Sequence, residues 1–180
     1  RTNKRDHIVS ASLDLIAARG FHRTPISLIA KKANVGTGTI YRYFESKDIL
    51  FTNLFRELEC KIFDAITVGY SDEKTIRERY IYLCTKLLKY FLDNPIHFRF
   101  LEQYYHSPYG MSAQRINILS EPGERDEFRN LFKQGISRQI LKDLPIFVHA
   151  DLTFSILFAL ARDVILDIVD RNDALILKSI

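Results

Sequence analysis

The sequence predicts an all-α fold in which a small N-terminal head of three helices precedes a larger helical domain. Three observations carry this. Apolar residues recur at helical spacing along most of the chain. Thr24 to Leu50 compresses two short helices around a glycine-marked turn. Positive charge collects at one end: residues 1–47 hold nine Lys and Arg against three Asp and Glu, net +6, while residues 48–180 hold 17 against 19, net −2. The expected domains are therefore 1–47 and 48–180.

In the head, Ile8, Ala11 and Leu15 mark a first helix, with Arg1, Lys4 and Arg5 ahead of it, either lying along a phosphate backbone or in a minor groove or forming no more than a flexible basic end. A second helix starts near Ser27, turns Leu28, Ile29, Ala30 and Ala33 inward and leaves Lys31 and Lys32 to solvent. Asn34 to Gly36 reverses the chain. Gly36 and Gly38 are expected either to take backbone angles denied to other residues or to let another surface come close. Thr37 or Thr39 is the expected cap of a third helix, roughly Gly38 to Phe44. Ile40 and Phe44, four apart, pack inward, which frees Thr37, Thr39, Tyr41, Arg42 and Tyr43. Hydroxyls, phenols and a guanidinium suit phosphates and base edges. Glycine-punctuated helix pairs also occur in proteins that never meet DNA; the net +6 of this segment is what favours a polyanion partner.

Ser46 then caps a long helix in which Leu50, Leu54, Leu58, Ile62 and Ile66 repeat at helical spacing beside Phe51, Phe55 and Phe63. Running to about Val68, it is roughly 33 Å long, enough to belong to two domains and to carry movement between them. After Gly69 to Asp72 comes a helix with Ile76, Tyr80, Leu83, Leu87 and Phe91, ending at Asp93. Asn94-Pro95 closes it and opens the next, Pro95 to His106. Ser107-Pro108-Tyr109-Gly110 breaks that helix, and a looser stretch leads to Ser120-Glu121-Pro122-Gly123. A helix over about 124–142, with Phe128, Leu131, Phe132, Gly135 and Ile140, ends before Pro145. The last, about Ala150 to Val169, is apolar on nearly every side, so both its faces need cover. A second copy of the same helix, with 124–142 beside it, is the simplest partner; a central helix of a monomer is the alternative.

The run Ile8-x-x-Ala11-x-x-x-Leu15-x-x-x-x-Gly20-Phe21, then Ile29-Ala30-x-x-Ala33-x-Val35, then Gly38-Thr39-Ile40-Tyr41-x-Tyr43-Phe44-x-Ser46-Lys47-x-x-Leu50, resembles the N-terminal domain of TetR/AcrR-type transcriptional regulators. The resemblance implies a helix-turn-helix DNA-binding domain joined to a helical ligand-binding and dimerisation domain. By position it implies DNA contacts from Ser27, Thr37, Gly38, Thr39, Tyr41, Arg42, Tyr43 and Lys47. It also implies a homodimer paired through two late helices, and a bound ligand that spreads two heads and releases a near-palindromic operator. Asn34 departs from the usual Gly and Gly36 from the usual small hydroxyl residue. Lys47, just after the Ser46 cap, can join helix-start amides at one phosphate; Arg42 can read guanine bidentately or remain a solvated charge.

Other chemistry is thin. The five histidines show no metal-ligand spacing with Cys60 or Cys84, no Ser, His and acid cluster or phosphate-binding Gly loop is present, and no catalysis, metal or cofactor is expected. Cys60 and Cys84, on consecutive helices, read as small buried hydrophobes or as a pair able to sense oxidation. Two cysteines without a secretory signal point to a reducing, cytoplasmic setting. The apolar run Leu152 to Ala161 is too short to span a bilayer, so no membrane partner is expected. Arg1 in place of Met suggests a trimmed start, and Lys178-Ser179-Ile180 ends as if more helix followed. Phe98 to His106 interleaves rings with donors and acceptors, as a pocket for an amphipathic small molecule would. Tyr80, Gln103, Tyr104 and Arg162 are the pocket candidates; ordinary tyrosine hydroxyls and an Arg162 network with Asp163 or Asp167 explain them equally well. The function expected is a repressor released from DNA by a small ligand. A DNA-binding regulator without an effector, or controlled by a partner protein, is the alternative, ahead of a helical enzyme or scaffold.

Overall fold

The computed structural model describes residues 3–110 and 127–170, and among these there is no strand. The helices, in chain order, are α1 (Lys4–Arg19), α2 (Ile26–Lys32), α3 (Thr37–Tyr43), α4 (Lys47–Thr67), α5 (Ile76–Asp93), α6 (Pro95–Tyr105), α7 (Glu127–Ser137) and α8 (Ile146–Ile165).

Local chemistry sets most boundaries. Asn3 caps α1 in a reciprocal box with Asp6. Lys4 and Arg5 consequently lie in the first turn of α1 and not on a free arm before it; Arg1 is outside the described residues. Ser46 caps α4 as expected, accepting from the Ile49 amide at 3.1 Å. Thr75 and Glu78 form the box that starts α5, and these hydrogen bonds hold the Glu78 carboxyl below its ordinary pKa. Asn94 ends α5, donating from its side chain to the Tyr90 carbonyl at 2.9 Å, and Pro95 opens α6.

Two late helices depart from expectation. α7 stops at Ser137, short of 142, because Gln139 turns left-handed at φ 57° and takes Ile140 out of the helix. The part of the expected 124–142 helix before Glu127 lies outside the described residues. α8 starts at Ile146, earlier than Ala150, because Pro145 supplies an N-cap backbone of φ −52° and accepts from the Val148 amide. It ends at Ile165 rather than Val169, where Asp167 turns left-handed at φ 55°.

Packing groups the chain into two compact units. The first contains the described residues of Arg1–Cys60 and Pro95–Ile116, the second those of Lys61–Asn94 and Asn117–Ile180. α6 joins the first unit because it packs along α1. At the end of α1, Gly20 turns at φ 77°, a backbone that favours glycine, and the movable tip of the Gln103 side chain from α6 comes close to it. Tyr104 of α6 stacks on Phe55 of α4 with centroids 4.0 Å apart. In the second unit α5 packs against α7 and α8; Leu83, Leu88, Phe91, Leu131, Phe132, Leu157 and Ala161 are buried there, and Phe91 meets Phe158 with ring centroids 5.1 Å apart.

Arg79, which the sequence did not single out, is buried in the second unit. Its guanidinium donates to the Tyr70 hydroxyl at 2.8 Å, Gln134 Oε1 at 2.8 Å and Asp72 Oδ1 at 2.6 Å, so the cost of burying the charge is offset by partners. No helix among the described residues is long and apolar enough to cross a membrane.

Candidate nucleic-acid interface

α2 and α3 meet at a turn built by Asn34. Its φ of 53° is left-handed, and the Val35 amide closes back on the Ala30 carbonyl at 3.0 Å. Asn is the residue other than Gly that tolerates this conformation best, so within the expected Asn34 to Gly36 reversal it is Asn34 that takes the left-handed angle. Gly36 is ordinary extended backbone, φ −73° and ψ 151°, and serves as the N-cap of α3. Neither Thr37 nor Thr39 caps it. Thr37 is the first helical residue, and α3 starts with no side-chain cap at all, which leaves both hydroxyls uncommitted to that role. At Gly38 an added Cβ would meet nothing within 4 Å, so packing inside the chain does not require glycine there.

The burial of α3 divides as its spacing predicts. Ile40 and Phe44 are 1% and 2% exposed, whereas Tyr41 and Tyr43 are 53% and 42% exposed. Thr37, Gly38 and Arg42 are exposed too, Thr39 is half-buried, and Ser27 is exposed on α2. Tyr43 ties the end of α3 to the cap of α1, its hydroxyl donating to Asn3 Oδ1 at 3.3 Å. Arg5 steadies the same corner. It pairs with Glu57, and its guanidinium lies 5.5 Å from the centroid of the Phe44 ring; the hydrogen bond to Glu57 raises its already high pKa. Lys32 pairs with Asp14 at 2.9 Å, and Lys31 is exposed. Lys47 is half-buried: its Nζ lies 3.4 Å from the Phe21 carbonyl and 5.2 Å from the centroid of Phe51. The ammonium thus rests on the head itself, not in open solvent.

Residues 8–54 match the family model described as bacterial regulatory proteins, tetR family, and residues 75–180 match the tetracyclin repressor-like C-terminal domain. The second match alone covers more than half of the chain. The chain belongs to the TetR family. A protein from Shewanella sp. PV-4 superposes with a TM-score of 0.87 at 25% identity, over 99% of this chain and 94% of that one. The fatty acid metabolism regulator protein of Bacillus subtilis (strain 168) is 32% identical over 79 residues, 44% of this chain; the match spans only 41% of that protein's length. The transcriptional regulator FadR from Bacillus subtilis, in complex with stearoyl-CoA, matches at a TM-score of 0.72 and 18% identity over 96% of this chain and 93% of that one, a likeness of fold alone.

In this TetR-family chain the four pocket candidates are divided between the units. Gln103 and Tyr104 belong to the first, where Tyr104 is 2% exposed within its stack. Tyr80 and Arg162 belong to the second, both half-buried. The Tyr80 hydroxyl lies 3.1 Å from Thr153 Oγ1. Burial raises its pKa and pushes the nearby Cys84 thiol up to about 12. A surface groove of about 510 Å³ at the end of α7 and the start of α8 is lined by Lys133, Ser137, Asp143, Leu144 and Ile146, and by none of the four. Cys84 is buried as expected, but Cys60 is exposed, and both are free thiols. On α8 the side chains of Thr153, Leu157, Ala161 and Val164 turn inward, while Leu152 and Ile156 remain 60% and 58% exposed.

Proposed function

We propose that this regulator binds double-stranded DNA as a homodimer, with α3 in a groove of each half-site, and that a small amphipathic ligand releases it, so that it represses when empty. The observation carrying this is the division of α3. Two apolar side chains hold the helix in a head of net +6, and the remaining positions offer donors outward. Ser27, Thr37, Thr39, Tyr41 and Tyr43 would donate to phosphates, and Arg42 would read a base edge. The open space at Gly38 would admit the backbone of the duplex. Lys47 would exchange its long hydrogen bond with Phe21 for a shorter, charge-assisted one to phosphate.

A single short helix reads few base pairs, and pairing two heads multiplies a weak affinity. The exposed Leu152 and Ile156, one turn apart on α8, supply an apolar face for a second copy. Among effectors, a long acyl chain carrying a polar group fits the reading, as stearoyl-CoA does for FadR. Tyr80 and Arg162, half-buried in the second unit, are the residues through which it would be sensed. Such a ligand lowers DNA affinity only by binding the DNA-free arrangement more tightly. A regulator of this kind works beside the chromosome, in the cytoplasm.

The test is a salt titration of duplex binding, repeated with acyl-CoAs. Steep loss of affinity with added salt is expected, as are compounds that raise the melting temperature of the free protein while loosening the complex. A chain indifferent to duplex at low ionic strength refutes the DNA reading. If acyl-CoAs and other amphipathic compounds leave both the melting temperature and the complex unchanged, the effector reading fails instead.

A further inference from the structure

Asp48 follows Lys47 directly, in the first turn of α4. A carboxylate there suits the positive end of a helix, yet one residue from a cation meant for phosphate it is also a like charge to DNA. Its oxygen is engaged: the Tyr109 hydroxyl donates to Asp48 Oδ1 at 2.8 Å, across 61 positions of sequence. The ring of Tyr109 is fixed as well, with its centroid 5.4 Å from that of Phe21 and 5.6 Å, edge-on, from that of Phe51. These two residues also receive Lys47, Phe21 through its carbonyl and Phe51 through its ring. One tyrosine therefore touches both the seat of the lysine and the carboxylate beside it. Burial, with the carboxylate as partner, pushes the Tyr109 phenol up to about 12, so it stays a donor across the neutral range.

We propose that Tyr109 is a positioning residue for DNA binding, whose hydroxyl holds the Asp48 carboxylate so that its charge does not oppose the phosphate approaching Lys47. The inference rests on the DNA reading above and extends it to the segment after α6. Without the hydroxyl the carboxylate can swing toward the phosphate at Lys47, and its repulsion, screened over a Debye length of about 8–10 Å, grows as that distance shortens. If Tyr109 served only to pack, phenylalanine would do as well.

Binding of a mixed-sequence duplex to the full chain, read by fluorescence anisotropy at low and moderate salt, tests this with four proteins: wild type, Tyr109→Phe, Asp48→Asn and the double variant. Thermal melts establish that each is folded. Tyr109→Phe is expected to weaken binding by about three- to tenfold, the effect of one unit charge moving nearer a solvent-screened phosphate. Asp48→Asn is expected to bind at least as tightly as wild type. The decisive comparison is the rescue: on the Asp48→Asn background, Tyr109→Phe should change nothing, because no carboxylate is left to restrain. Equal loss on both backgrounds, or no loss on the wild-type background, overturns the inference while leaving the DNA reading in place. A wild type that ignores duplex overturns both.

Discussion

α3 and α8 are both amphipathic to a first approximation, yet they present opposite chemistry outward. α3 has seven residues, buries Ile40, and offers hydroxyls, phenols and a guanidinium to solvent. α8 has 20 residues, buries Thr153, Leu157, Ala161 and Val164, and still leaves Leu152, Ile156 and Phe147 exposed. A polar outward face suits a polyanion; an apolar one suits another apolar surface. The contrast teaches that the inward stripe of a helix builds its domain, whereas the outward stripe reports what the domain meets.

The contrast is most easily broken at α8. Replacing Leu152 and Ile156 with Glu should give a monomer by sedimentation velocity and lower duplex affinity by about a hundredfold or more, since the second head no longer contributes. A double variant that stays dimeric would mean that α8 is not the pairing face.

At the other face, Arg42→Ala should relax preference at one base position by about 1–3 kcal/mol. Lys47→Ala should weaken all duplexes alike and flatten the log-log salt slope by about one unit. Selection on random duplexes checks the first and a salt series the second. An unchanged slope removes Lys47 from the phosphate contacts.

The thiols sharpen the comparison between units. Exposed Cys60, on α4, should be alkylated at once in the folded protein, and buried Cys84, on α5, only on unfolding. The folded Cys84 pKa is raised to about 12 from an ordinary 9.0, so the unfolded chain loses this proton first. Stability is therefore insensitive to Cys84 below pH 9 and falls as pH rises from there toward 12. Denaturant melts of Cys84→Ala should lack that part of the alkaline decline.

The smallest effect is expected at the turn. Asn34→Ala should cost about 1 kcal/mol, because Ala pays the left-handed penalty without local hydrogen bonding. A urea titration showing no loss would deny Asn34 its part in the reversal.

Much of the fold was legible in the sequence because its signals are local. Ser46, Asn94-Pro95 and the spacing of Ile40 and Phe44 act over four residues or fewer, and α2, α4 and α6 begin and end within a residue or two of expectation. The turn was found where Asn34 to Gly36 placed it, but its left-handed residue is Asn34, while Gly36, the commoner type for that role, stayed extended. α7 was read too long because nothing in Gln139 itself announces a left-handed backbone. The outward residues of α3 were found from spacing; the resting place of Lys47 was not.

The chain by itself determined where helices start, which side of each is apolar and which end is basic, since propensity, capping and periodicity act between near neighbours. Only the tertiary structure decided that Arg5 pairs with Glu57, that Arg79 is buried among Tyr70, Asp72 and Gln134, and that Tyr109 reaches Asp48. Arg5 to Glu57, Arg79 to Gln134 and Tyr109 to Asp48 join residues more than 50 positions apart. Such partners meet only after the helices have packed, and packing follows from shape and burial across the whole core rather than from any one stretch of residues.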